Sequence, residues 1–203
     1  MCENIINTSA VYGLFSRLFL EHPSDELIYS IMQFVDEDYL KNYVLEDLQC
    51  EFDTLFVIPS SKRILLTYSA LMNSIKDENG IQIAKLHHWY FESVEIIDAY
   101  ETYGFDYRAF IDNATYVLKP DFDSLSVFLK FISYLRYFQV RLNASSNTDK
   151  KALCDFIQMF NTVYVLPSIN KARKLCDEEC FYEHLLQLCE KCICYDLDLY
   201  SEG

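Results

Sequence analysis

Apolar positions along the chain recur mostly at intervals of three and four, the period that places them on one face of a helix. Val11, Leu14, Phe15, Leu18 and Phe19 make the first such stripe, stopped by His22-Pro23. Ser24-Asp25-Glu26 follows as a cap and an acidic first turn, predicting a second helix through about 35. A third is expected over 38–56, where Leu40, Val44, Leu48 and Leu55 fall on one side. Pro59 through Arg63 reads as a loop. Helices are expected next over 64–76, closed by Asn79-Gly80, and over 81–102, closed by Gly104. The stretch 105–118 fits either a short helix or an ordered loop.

Lys119-Pro120 ends that stretch, because proline cannot continue a helix and pushes its predecessor toward extended backbone. Asp123 or Ser124 can then cap a helix whose buried face is Leu125, Phe128, Leu129, Ile132 and Leu135, running to about 143. Residues 144–149 (Ala-Ser-Ser-Asn-Thr-Asp) read as a surface loop. Helices are expected over 150–163 and 168–176, separated at Pro167, and a final one over 180–197. Val163-Tyr164-Val165-Leu166 fits a short strand that has no evident partner. There is no repeat and no low-complexity tract. The expectation is one all-α domain spanning 1–203, of about eight to ten helices.

Composition agrees with that pattern. The 203 residues are 51% apolar, enough to bury a core, and only four glycines and four prolines occur, too few for a turn-rich β architecture. Sixteen tyrosines and fifteen phenylalanines supply bulk to fill gaps between helices. The net charge of −14 disfavours nucleic acid and anionic membranes as partners; it either suits a basic partner or only keeps the protein soluble. Met1-Cys2-Glu3-Asn4 lacks a positive n-region, and the first apolar run is interrupted by Arg17, so no secretory signal is expected. No uninterrupted apolar run reaches the roughly 18 residues that a membrane span needs. The eight cysteines lack the loop-rich setting of a secreted disulfide scaffold, so a reducing cytoplasm is expected.

Three constellations invite a chemical reading. Cys176 and Cys180, followed by Cys189, Cys192 and Cys194, have spacings at which thiolates bind zinc or an iron–sulfur cluster. The alternative is packing, since Cys189 and Cys192 share a helical face with Leu185 and Leu188 and free cysteine is commonly buried. His87 and His88 are adjacent, so they diverge by about 100° on a helix and do not converge on one ion. With Glu92 one turn beyond His88, an acid–base pair is the chemical reading, and a surface pair beside Trp89 is the structural one. Glu92, Glu95, Asp98 and Glu101 form an acidic ribbon, which is either a solvated face or a docking strip for arginines. Asp121 and Asp123 add to the strip if their element adjoins it. No P-loop, G-x-S-x-G, H-E-x-x-H or glycine-rich dinucleotide turn is present, so no enzyme is indicated.

Several short segments, in order, resemble the TorD/DmsD/NarJ-like family of cytoplasmic chaperones for molybdenum-cofactor oxidoreductases. Tyr12-Gly13-Leu14-Phe15-Ser16-Arg17-Leu18-Phe19 with Pro23 is similar to the family's opening helix. Glu51 through Phe56 with Pro59 resembles its Y-x-x-L-F…P segment, and Tyr100 through Phe105 its Y-x-x-x-G-F helix end. Asp123-Ser124-Leu125…Leu129-Lys130-Phe131 matches the hallmark P-x-D-H-L…L-x-F element, with Ser124 in place of the histidine. Pro167 and Phe181-Tyr182 echo the family's last helices. The loop motif P-x-E-S survives only as Thr67-Tyr68-Ser69.

The resemblance implies a TorD-like helical fold and a non-catalytic, cytoplasmic chaperone with no cofactor of its own. Such a protein binds the twin-arginine signal peptide or the apo form of its client oxidoreductase and holds back export until cofactor insertion. Its partners would then be that apo subunit and peptide, without nucleic acid or membrane insertion, and both a monomer and a domain-swapped dimer are compatible with it. The candidate peptide contacts are Asp121, Phe122 and Asp123, with Glu95, Asp98 and Glu101 as second-rank acids. Two other readings of the chain are a helical interaction or regulatory module with an unrelated partner, and a metal or redox protein using the late cysteines.

Overall fold

A computed structural model describes residues 2–20, 94–112, 122–142, 147–174 and 181–201. Of these described residues 93% are helical and none lies in a strand, so the all-α expectation holds for them. In order they form α1 (Cys2–Leu20), α2 (Val94–Tyr103), α3 (Tyr107–Asp112), α4 (Leu125–Arg141) and α5 (Asn147–Phe160). A π-helical turn (Asn161–Val165), α6 (Leu166–Arg173) and α7 (Phe181–Ser201) complete the series. The helices expected over 24–35, 38–56 and 64–76, and most of the one over 81–102, lie outside the described residues.

The two stripes found in the sequence face each other. Val11, Leu14, Phe15 and Leu18 of α1 are buried, as are Leu125, Phe128, Leu129, Ile132 and Leu135 of α4. The helices run antiparallel and close together because small polar residues line the seam. Ser9 donates to the Ser133 carbonyl at 2.7 Å and Ser133 donates back to the Ser9 carbonyl at 2.8 Å. Two turns along, Ser16 donates to the Ser126 carbonyl at 2.8 Å. A Cβ at Gly13 would stand 3.2 Å from the Ser133 hydroxyl, so glycine belongs to this close approach. These side chains satisfy their polarity through main-chain carbonyls while the helices nearly touch.

α2 ends where Gly104 takes φ +67, and the Phe105 N–H reaches back to the Tyr100 carbonyl at 2.8 Å while the Gly104 N–H reaches Glu101 at 3.1 Å. That paired closure is the glycine stop expected there. Asp106 then caps α3 by accepting from the Ala109 N–H at 2.9 Å. The ambiguous stretch beyond Phe105 is thus helical over Tyr107–Asp112.

The chain from Asn147 to Arg173 departs from expectation. The loop at 144–149 gives way to helix already at Asn147, and Pro167 does not separate two helices. Proline's ring would clash with the carbonyl four residues back in a regular helix. The π turn just before it widens the backbone, with the Leu166 N–H bonded to Asn161 five residues back, so Pro167 is accommodated near the start of α6. The β-branched Val163-Tyr164-Val165 run is therefore π-helical and not a strand. The resulting rod, Thr148–Arg173, has the length and apolar content of a membrane-crossing helix, although neither of its halves does. Its inner face, with Leu153, Ile157, Phe160, Val165 and Ile169, is buried in the same cluster as α1 and α4.

α7 runs longer than expected, to Ser201, and Arg173 ties it to α6 through Glu190 at 2.6 Å and Glu183 at 3.2 Å.

Candidate functional site

The acidic strip of α2 faces outward. Glu95, Asp98 and Glu101 are all exposed, while Ile96 and Tyr100 of the same helix are fully buried. No lysine or arginine occurs on α2. Glu95 is not a loose surface side chain: its Oε2 accepts from the Tyr164 hydroxyl at 3.0 Å, a bond from the π turn that orients the carboxylate. Glu92 lies outside the described residues.

The second half of the candidate site is the start of α4, and the structure brings it beside α2. The Tyr100 hydroxyl donates to the Phe122 carbonyl at 2.8 Å, and the Phe122 ring sits 6.3 Å from Tyr107. Ser124, not Asp123, is the helix cap: its backbone is extended (φ −77, ψ 149) and its hydroxyl accepts from the Val127 N–H at 3.4 Å. Asp123 is buried, only 6% exposed, and its charge lies close enough to raise the pKa of Tyr100 further, after burial as the larger cause. Phe122 is half-buried. Asp121 lies outside the described residues. The six expected contacts thus divide into three exposed acids on α2, a half-buried aromatic and a buried acid at the head of α4, and one not described.

Of the late cysteines that are described, Cys189 and Cys192 behave as packing residues. Cys189 and Cys192 are buried in the core, and burial pushes the Cys189 thiol well up, with Cys192 and Glu190 adding to it. Cys194, two positions on, is exposed, so these three sulfurs do not share a side of α7. Among the described residues no group of three or more His, Cys, Asp and Glu side chains is arranged to hold a metal ion. Cys176, Cys180, His87 and His88 lie outside the described residues.

Sequence reasoning missed a buried polar network that joins five elements, α1, α4, α5, the π turn and α7. Arg136 of α4 and Asp196 of α7 pair at 2.8 Å with neither side chain exposed. The Tyr12 hydroxyl donates to the same Asp196 oxygen at 2.9 Å and accepts from the Asn161 amide of the π turn at 2.9 Å. Arg136 also donates to Gln139 at 2.9 Å, whose amide donates to the Cys154 sulfur at 2.9 Å. Burial raises the Asp196 carboxyl above its usual range, against the opposing pull of Arg136 and Tyr12. The π turn therefore has two tasks, Asn161 inward to Tyr12 and Tyr164 outward to Glu95.

No family model, curated protein or solved structure matches this chain.

Proposed function

We propose that this protein is a cytoplasmic maturation chaperone of the TorD-like kind, binding the twin-arginine signal peptide or apo form of a molybdenum-cofactor oxidoreductase without catalysing a reaction. The observation that carries the reading is the run of exposed carboxylates, Glu95, Asp98 and Glu101, on a helix without cations, beside the aromatic pair of Phe122 before α4 and Tyr107 of α3. A signal peptide of this class presents an arginine pair followed by an apolar run, and clustered carboxylates beside an apolar surface complement both parts. Tyr164 supports the role by holding Glu95 in place before a ligand arrives.

Calorimetric titration of the full chain tests this, using the twin-arginine peptide and the apo subunit of an oxidoreductase encoded beside its gene. Binding of either supports the reading, and binding of neither overturns it. If binding survives Glu95→Gln, Asp98→Asn and Glu101→Gln together, the site is elsewhere and the function stands.

A further inference from the structure

α2 and the α5–α6 rod lie side by side and antiparallel. Tyr103 meets Phe156 at one end, ring centroids 4.6 Å apart, and Glu95 meets Tyr164 at the other. Phe160 and Tyr164 turn inward, their rings within 5.5 and 6.1 Å of Phe128. Met159 and Val163 each precede one of these residues, which rotates them out of the core to the rim of the seam. They are 42% and 46% exposed, among the few large apolar side chains at the described surface. The opposite rim carries Glu95 and Asp98, and the exposed Asp155 lies one turn before Met159. No lysine or arginine occurs in 94–107 or in 152–170, so neither wall carries a basic side chain.

We infer that this seam is a docking groove for a cationic amphipathic helix of another protein. From Asp155 to Val163 the groove runs about 12 Å, two turns of a partner helix. Apolar partner residues at i, i+3 or i+4, and i+7 would lie on Met159 and Val163, and flanking lysines or arginines would meet Glu95, Asp98 and Asp155. Charge selects this occupant over others. A second copy would oppose the same acids to themselves, and nucleic acid and anionic lipid are repelled by the same field. The inference shares with the proposed function its use of the α2 carboxylates as contacts. It adds an apolar wall on a different element and a helical form for the ligand.

The probe is a fluorescent peptide of about 18 residues, five helical turns, with leucines spaced by three and four, lysines on both flanks and no arginine pair. The full chain should bind it, and the peptide should gain helical circular dichroism on binding. Met159→Glu with Val163→Asp should weaken binding by about tenfold or more. Because those changes add negative charge near a cationic ligand, weakening reports lost apolar contact. Tyr137→Asp, which alters another exposed apolar residue on α4, should not weaken it. Absence of binding to the unaltered protein, binding unchanged in the double variant, or equal loss in Tyr137→Asp would overturn the groove.

If the double variant loses its helical spectrum, a photo-reactive probe on the unaltered protein decides. Cross-links must fall within 94–103 and 155–163, and labelling confined elsewhere overturns the inference. A protein that takes this probe but neither signal peptide nor apo subunit keeps the groove and loses the chaperone function. The converse result does the opposite.

Discussion

Arg136 and Asp196 form an ion pair at 2.8 Å in which neither side chain is exposed, linking the middle of α4 to the end of α7. Removing two charges from water costs several kcal/mol per ion, and neighbouring side chains offset part of that cost, although Asp196 Oδ1 accepts no hydrogen bond from the described residues. Tyr12 shares the Asp196 oxygen and Gln139 shares the Arg136 guanidinium. The network therefore acts as a register device: its bonds form only when α1, α4, the π turn and α7 meet in one arrangement.

Arg136→Leu should cost about 3–5 kcal/mol, because it strands a buried carboxylate. Arg136→Leu with Asp196→Leu should recover most of that loss, since the pair is then replaced by apolar volume. Urea denaturation of the two variants checks this. Equal losses would mean that the pair contributes favourable energy beyond mutual compensation.

Tyr12→Phe removes one donor to Asp196 and the acceptor of the Asn161 amide, both fully buried. A buried group left unsatisfied costs about 1–3 kcal/mol, so Tyr12→Phe should destabilise by that amount. The same experiment on Tyr137→Phe, at an exposed hydroxyl, should show a change within about 0.5 kcal/mol.

Both partners of that pair were visible in the sequence as anomalies. Arg136 follows Phe128, Leu129 and Ile132 at the helical interval, and Asp196 follows Cys189, Cys192 and Ile193 at the same interval. A single charge at a core position of each of two helices is a pairing signal, but reading it requires knowing that the helices meet. The long-period stripes of α1 and α4 were legible because burial of one face repeats over four or five turns. Pro167 and the Val163-Tyr164-Val165 run were misleading because local propensity was overridden by a π turn, whose only requirement is one irregular hydrogen-bond step. Of the site, the α2 acids were legible from spacing alone. Tyr164 under Glu95 was not, since that contact joins positions 69 apart in the chain.

Tyr100 offers a test by pH. Burial holds its hydroxyl pKa well above the usual range, with Asp123 and then Tyr107 adding to the effect. The folded state therefore keeps this proton while the unfolded chain releases it above about pH 10. Stability contributed by the neutral hydroxyl is fully present below that pH and declines as pH rises toward the folded value. Tyr100→Phe loses the bond to the Phe122 carbonyl and should cost about 0.5–1.5 kcal/mol at pH 7. The gap between the two proteins should narrow above pH 10, read from denaturation midpoints. A gap constant with pH would show that the hydroxyl is not shielded.

Gly104 should not tolerate a side chain. Its φ of +67 lies in the left-handed region, and the turn it makes delivers Phe105 into the core. Gly104→Ala should cost about 1–2 kcal/mol from the backbone term alone. Thermal unfolding followed by circular dichroism is the measurement, and an unchanged midpoint would mean that the turn relaxes.

The acids of α2 make the final prediction, which concerns how a cationic peptide is held. Glu95, Asp98 and Glu101 are exposed, so each contributes weakly and is screened by salt beyond about 8 Å at physiological ionic strength. Their sum should therefore set the salt dependence of binding more than its strength at high salt. Neutralising all three as amides should flatten the fall in affinity between low and high salt, and should weaken binding mostly at the low end. Tyr164→Phe should act differently: it leaves every charge in place but frees Glu95 to sample other rotamers. The expected result is a loss of about 0.5–1.5 kcal/mol in binding, with the salt slope retained. Measuring both variants across a salt series separates charge from orientation, and a steep slope surviving the triple amide would place the peptide away from α2.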